Sequence, residues 1–337
     1  MSMPPGLDAE RLAGYLRAHR PDLAKGDLRG TLITGGRSNL TYVVNDGTSE
    51  YVLRRPPLGH VLATAHDMAR EFTVLSALAG TAVPVPTPYL LCTDPEVLGA
   101  PFYLMSRVPG VVLRNRHQTD PMSEAQRHDI AHAMIDTLAA LHDVDHRAVG
   151  LGGFGRPEGF LARQVRRWSA QLEQSRSRDL PGADRLRDRL AATVPCGGPP
   201  TLVHGDYRLD NLLVDPTSRR VAAVLDWEMA TVGDPLTDVA LLLVQWDVVS
   251  TLDTAWDPIG PHVGFPTGRQ LLDRYTRLRP VDPSALPWYT GLACYKLAVV
   301  VEGIHFRFGM GRTVGAGFDR MGELTLPLIA HGLAATA

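Results

Sequence analysis

Lysine is almost missing from this chain. Lys and Arg together number 34 in 337 residues, yet only Lys25 and Lys296 are lysines. Chemistry that requires a lysine therefore has two positions to draw on, and arginine supplies the remaining positive charge. Cysteine is as sparse: Cys92, Cys196 and Cys294 are far apart, odd in number and outside any CxxC spacing. This excludes a disulfide framework and a thiolate zinc site and fits a reducing cytoplasm. No run of 18 uncharged apolar residues occurs, since the best candidate, 292–301, is short and carries Lys296. No membrane-spanning helix is expected. The opening MSMPPGLDAERLAGYL has no basic start ahead of an apolar core, so no signal peptide is expected either. A net charge of −2 supplies no basic face for nucleic acid or membrane.

Hydrophobic residues make up 45% and charged residues 21%, the balance of a globular chain long enough to bury one large or two medium cores. The first third reads as β-rich. After a surface helix over 8–19, the runs TLITGGRSNLTYVV and SEYVLRR flank Gly35-Gly36 and the hairpin signal Asn45-Asp46-Gly47. A helix is predicted over 66–79. The proline-rich stretch 83–88 reads as extended, and PFYLMSRV as a strand stopped at Pro109-Gly110. Beyond it the pattern is helical. Ser123 and Gln126 form a capping box ahead of the apolar stripe Ile130, Met134, Leu138 and Leu141. Further helices are predicted near 158–173, 181–193, 234–249, 286–308 and 317–333, interrupted by one small strand pair, TLVHGD and RVAAVLDW. The fold class is α+β in two lobes: a nucleotide-binding lobe over 1–105, a connector over 106–110, and a catalytic and substrate-binding lobe over 111–337.

The strongest signal is HGDYRLDN at 204–211. A strand delivers Asp206, Asn211 follows five residues later, and Asp226 ends the next strand fifteen residues beyond that. Phosphoryl transfer from ATP needs such a set: a carboxylate to orient and deprotonate the attacking hydroxyl, and an amide oxygen and a second carboxylate to hold Mg²⁺ against phosphate oxygens. The pattern parallels the protein-kinase catalytic loop, with HGD in place of HRD and DWE in place of DFG. HGDYRLDN followed by VLDWEMATVGDPLTDVA resembles the aminoglycoside phosphotransferase and choline kinase family. GGRSNLTYVV, YVLRRPP, REFTVLSAL and FYLMSRVPG narrow the resemblance to the branch of kinase-like domains associated with acyl-CoA dehydrogenases. It runs from about residue 30 to residue 245.

The resemblance implies a bilobal protein-kinase-like fold with ATP and Mg²⁺ as cofactors. It makes Asp206 the catalytic base and Asn211 and Asp226 the metal ligands, with His204, Asp234 and Asp238 as structural supports and Glu228 near metal or substrate. On the nucleotide side it implies phosphate contacts from Gly35, Gly36, Ser38 and Asn39. Arg54 stands in the family's lysine position with Glu71 as its partner. Met105, the Ser106 carbonyl and the Val108 amide lie along the adenine. Only seven residues separate Asp226 from Asp234, too few for a phosphorylated activation loop. On the acceptor side, 240–337 holds eight acidic and eight basic residues, without the carboxylate excess that a polycationic aminoglycoside calls for. Lys296 and Arg307 lie eleven apart on one predicted helix, a face suited to an anionic acceptor such as a hydroxyacyl-CoA or hydroxy acid. Two other readings stay open: an ATP-binding pseudokinase or scaffold, which Arg54 permits, and a metal-dependent hydrolase built on HGD.

Overall fold

The computed structural model describes residues 4–33, 39–58, 67–252, 257–311 and 318–337. Gly35, Gly36 and Ser38 lie outside the described residues. The chain divides into two compact units, Met1–Gly110 with Ala222–Ala230, and Val111–Val221 with Thr231–Ala337.

In the first unit, helix α1 (Ala9–His19) starts where Asp8 accepts from the Arg11 N–H, and its buried stripe is Leu12, Ala13 and Leu16. Five strands follow: β1 (Arg29–Leu32), β2 (Leu40–Asn45), β3 (Glu50–Arg55), β4 (Pro88–Cys92) and β5 (Phe102–Ser106). They form one antiparallel sheet in the order β1-β2-β3-β5-β4. The β2–β3 turn closes because Asp46 Oδ1 accepts from Thr48 N and Ser49 N, while Gly47 takes φ +86°. Helix α2 (Met68–Leu78) is capped by Asp67 and buries Glu71 along with Val74, Leu75 and Leu78. The short helix α3 (Pro95–Leu98) precedes β5. The face of the sheet carrying Tyr42, Val44, Leu53, Phe102 and Leu104 packs with Leu12 and Leu16 into one core. Strand β4 begins at the last residue of the proline-rich stretch that reads as extended. It lies at the sheet edge, with irregular register between Pro88 and Leu90, the position where proline is tolerated.

The second unit holds α4 (Arg116–Thr119), α5 (Glu124–His142), α6 (Phe160–Ser175), α7 (Ala183–Ala192), α8 (Leu236–Asp247), α9 (Gly268–Leu278), α10 (Leu286–Gly309) and α11 (Thr325–Ala335). Its short strands are β6 (Thr201–Val203), β7 (Leu212–Val214) and β9 (Thr231–Gly233), while β8 (Val221–Val224) leads the chain back into the first unit. The capping box at Ser123 and Gln126 is formed, and Ile130, Met134, Leu138 and Leu141 are buried. Helix α10 packs along α11, α8 and α6, burying Trp288, Tyr289, Leu292, Tyr295 and Val299.

Two features depart from the sequence reading. The strand runs TLV and VAAV are not partners of each other: β6 pairs antiparallel with β9, Leu202 opposite Val232. Three residues are too few for β9 to show alternation. Helix α9 was not anticipated, although Thr267 and Gln270 form a complete capping box there. No helix among the described residues is long and apolar enough to cross a membrane.

Candidate active site

The HGD loop leaves β6 and is pinned from its backbone. Asp238, in the first turn of α8, is fully buried. Its Oδ2 accepts from the His204 N–H at 2.6 Å and its Oδ1 from the Gly205 N–H at 2.8 Å. His142, at the end of α5, holds the same carboxylate through Nε2 at 3.3 Å, while its Nδ1 lies 2.8 Å from the Tyr275 hydroxyl. Burial alone would push the Asp238 carboxyl up. The hydrogen bond and charge of His142, with His204 and its N–H, outweigh that and hold it below the usual carboxylate range. Gly205 takes φ +83°, a left-handed conformation that glycine adopts without steric cost. The His204 ring is buried, and its Nδ1 accepts from the Asp206 N–H at 3.2 Å, which places the proton of a neutral ring on Nε2. His204 is thus built into the loop, as are Tyr207, whose hydroxyl donates to the Met134 carbonyl at 2.7 Å, and Arg208, which donates to Gln245 at 3.1 Å.

Asp206 and Asn211 are brought together. The Asn211 Nδ2 donates to the Asp206 carbonyl at 2.7 Å and to its carboxylate Oδ2 at 3.0 Å. Both partners are acceptors, so the nitrogen must face them, and the amide oxygen is left for another partner. A 3₁₀ turn over Leu209–Asn211 sets this geometry. Asp234 accepts from Leu236 N, Gly198 N and the Tyr289 hydroxyl at 2.9, 2.8 and 2.9 Å. It caps α8 from one residue further out than the assigned N-cap, Pro235.

The first unit assembles a second group. Side chains alternate along β3, so Arg54 and Arg55 part company. Arg55 donates to the carbonyls of Gly6 and Leu98 at 2.6 and 2.7 Å. Arg54 instead sets its Nε 3.1 Å from Glu71 and donates through Nη2 to Asp226 Oδ1. Glu71 also accepts from the Tyr103 hydroxyl at 2.9 Å and from Asn39 Nδ2 at 3.1 Å. Burial works against the Arg54 charge, but the anions around it win and raise its pKa. Burial, with the charge of Asp226 behind it, pushes the Glu71 carboxyl up against the pull of Arg54. Asp226 itself sits at φ 66°, ψ 64°, a left-handed conformation uncommon outside glycine. The following turn, Trp227–Met229, is locked by the buried Trp227, and Arg70 of α2 donates to the Ala230 carbonyl at 2.8 Å. Glu228 is half-buried in that turn.

Among the other residues singled out, Met105 is buried in β5 and Val108 is half-buried beyond it. Ser106 exchanges two bonds with Thr87, its N–H to the Thr87 carbonyl at 2.8 Å and its Oγ from the Thr87 N–H at 2.9 Å. Lys296 and Arg307 share α10 but not surroundings. Lys296 donates to the Gly205 carbonyl and lies 5.4 Å from the centre of the Trp168 ring, whereas Arg307 is exposed in the last turn. The chain reading missed Tyr103, His142 and Trp168. Tyr103 lies in an apolar run and His142 ends one, while Trp168 follows Arg166 and Arg167; only a distant partner gives each a role.

Hard oxygen donors suit magnesium. Asn211 keeps its amide oxygen, and Asp226 gives one carboxylate oxygen to Arg54 and keeps the other. Both residues therefore fit as ligands of the ion.

Residues 29–276 match the family model described as "Phosphotransferase enzyme family". The rat protein "Acyl-CoA dehydrogenase family member 11" is 34% identical over 335 residues, a match covering 97% of this chain and 43% of the rat protein. The chain thus spans less than half the length of that relative. A solved structure from Ralstonia eutropha, provisionally described as an aminoglycoside phosphotransferase, superposes with a TM-score of 0.85 at 33% identity, covering 98% of each chain. Choline kinase from Cryptosporidium parvum shares the fold alone, at TM-score 0.67 and 14% identity over 97% of this chain and 95% of its own. The fold is protein-kinase-like, and the chain belongs to the phosphotransferase enzyme family that includes the aminoglycoside phosphotransferases.

Proposed function

We propose that this protein transfers the γ-phosphoryl group of ATP to a hydroxyl of a small molecule, with Asp206 as the base and Asn211 and Asp226 as magnesium ligands. One observation carries the proposal. The Asp206 carboxylate is fixed by the Asn211 amide on a loop whose preceding backbone is tied to buried Asp238. Phosphoryl transfer asks mainly for positioning and charge stabilisation, and this loop is organised to position. Asp206 orients the acceptor hydroxyl and takes its proton. Magnesium, when bound, neutralises charge on the phosphate oxygens. Arg54, held by Glu71, directs a guanidinium at the α- and β-phosphates, where its planar fork replaces the usual lysine. Asn39 reaches Glu71 from the strand side, while Met105, Ser106 and Val108 take the adenine.

The favoured acceptor is anionic, of the hydroxyacyl-CoA or hydroxy-acid type, ahead of aminoglycosides or choline. Lys296 brings a positive charge to Asp206, and Arg167 adds a second positive charge near Lys296, a setting that disfavours a polycation. The dehydrogenase named in the longer rat relative fits an acyl substrate. The test is ADP release from MgATP across hydroxyacyl-CoA esters, hydroxy acids, choline and aminoglycosides. Turnover with an anionic alcohol supports the assignment. Turnover with aminoglycosides alone rejects the acceptor class, and none with any acceptor rejects the kinase reading.

A second reading, an ATP-binding pseudokinase, draws on the Arg54–Asp226 ion pair, which occupies one oxygen of a proposed metal ligand. It predicts nucleotide binding that is indifferent to magnesium.

A further inference from the structure

Gly205 is held by opposite charges at its two backbone ends. Its N–H donates to the buried Asp238 carboxylate at 2.8 Å, and its carbonyl accepts from the ammonium of Lys296. The Gly205 carbonyl belongs to the peptide bond that leads into Asp206. At φ +83° this glycine has no side chain to restrict it, and the plane of that peptide is fixed by the Lys296 bond to its carbonyl and by its Asp206 N–H, which donates to His204 Nδ1 at 3.2 Å. Lys296 reaches it from the middle of α10, across 91 residues of sequence. Its Nζ rests 5.4 Å from the centre of the Trp168 ring, within the range of a cation–π contact. The buried neighbours Tyr295 and Val299 set the helix face from which Lys296 projects. The charged groups facing its ammonium come from three elements: Asp206 of the loop, Asp238 of α8 and Arg167 of α6.

We propose that Lys296 is a positioning residue for phosphoryl transfer, clamping the Gly205 carbonyl so that the Asp206 carboxylate is presented in one orientation, and that this role occupies the ammonium otherwise available for binding the acceptor. The inference rests on the phosphotransferase reading and adds a residue to it. It also explains why one of only two lysines in the chain stands in a helix that is otherwise almost wholly apolar at its centre.

The test uses the full chain in two measurements. Turnover of MgATP with the acceptor found by screening, or with water where none is found, is compared for wild type, Asp206→Asn, Lys296→Met and Lys296→Arg. A shift of the base by about 1 Å costs about 100-fold in rate. Lys296→Met should therefore lose about that factor in kcat while KM for ATP stays within twofold, and Lys296→Arg should recover part of the loss. The second measurement does not depend on turnover or on any variant of Lys296. With lysine labelled at ¹⁵Nζ and ¹³Cε, the chain gives two side-chain signals, and Lys25→Arg assigns them. Burial pushes the Lys296 pKa down while Asp206 opposes the fall, so its signal should titrate below the usual lysine range. Asp206→Asn should move it lower still, because the neutral amide no longer helps to retain the proton.

A Lys296 signal that ignores Asp206→Asn overturns the proposal, as does wild-type turnover in Lys296→Met. If instead Asp206→Asn leaves turnover unchanged, or wild type turns over no ATP, the kinase reading itself fails and this inference falls with it. Loss of KM and kcat together, with no rescue by Lys296→Arg, shows a merely structural lysine and also overturns it.

Discussion

Replacing Glu71 by glutamine removes one negative charge with almost no change of shape, at the hub of the Arg54 group. The Glu71 side chain is 1% exposed and that of Arg54 12% exposed, so solvent offers little compensation. The carboxylate accepts from the Tyr103 hydroxyl at 2.9 Å and from Asn39 Nδ2 at 3.1 Å, and it forms an ion pair with Arg54, whose Nε lies 3.1 Å away. Glutamine has one oxygen where glutamate has two, and with that oxygen kept by Asn39 its NH₂ faces the Arg54 guanidinium, which cannot accept. One buried donor is left without an acceptor, at a cost of about 1–3 kcal/mol. Stranding a buried charge altogether costs about 3–5 kcal/mol. Arg54 retains Asp226, which keeps the loss below the upper figure, so about 2–3 kcal/mol is expected. Guanidinium unfolding measures it as a lower midpoint with an unchanged slope. The same change lets Asp226 draw Arg54 away from the phosphates. Loss of about 1.4 kcal/mol of that contact corresponds to about tenfold weaker MgATP binding, read by calorimetry. A Glu71→Gln protein with wild-type midpoint and wild-type ATP affinity would refute the view that Glu71 holds Arg54 in place.

Three further outcomes are expected. If Arg54 contacts the phosphates as proposed, Arg54→Ala should weaken ATP more than AMP, measured by calorimetry with both nucleotides. Asp226→Ala should abolish the magnesium dependence of ATP binding, seen by titrating ATP with and without the metal. Asp238 has a folded pKa below its unfolded value. Its stabilisation is therefore full above the unfolded value, about pH 4, and is lost as pH falls through the folded value. Asp238→Asn should lower the unfolding free energy at neutral pH by about 3–5 kcal/mol and flatten the acid-side fall in stability.

What the sequence revealed and what it concealed follow from the range of the interactions. Local rules located the helices well. Ser123 and Gln126 meet across one turn, and the stripe from Ile130 to Leu141 repeats at helical spacing, so α5 was legible from about twenty residues. The Arg54–Glu71 pairing came from the family resemblance, since strand alternation separates Arg54 from Arg55 without choosing between them. The five-residue spacing from Asp206 to Asn211 was readable as one constellation, but the 3₁₀ turn and the amide–carboxylate bond that it forms came only with the structure. Strand β9 was hidden by its length, and β4 by the prolines beside it. Helix α9 carried a readable capping box, and the miss lies in the reading. The left-handed backbone of Asp226 leaves no compositional trace, since nothing local demands it. The return of Ala222–Ala230 to the first unit depends on contacts such as Arg70 to the Ala230 carbonyl, invisible along the chain. His142 under Asp238 and Lys296 over Gly205 are pairings of 96 and 91 residues, which no window can see.

The measurement that bears most directly on the central claim is single-turnover transfer from γ-³²P-labelled ATP by wild type and Asp206→Asn, with ATP affinity determined on the same preparations. The account predicts equal affinity within a small factor and a loss of transfer of about 10²–10⁴-fold, the contribution of a positioned base. Equal transfer by the two proteins would contradict it and remove Asp206 from the chemistry.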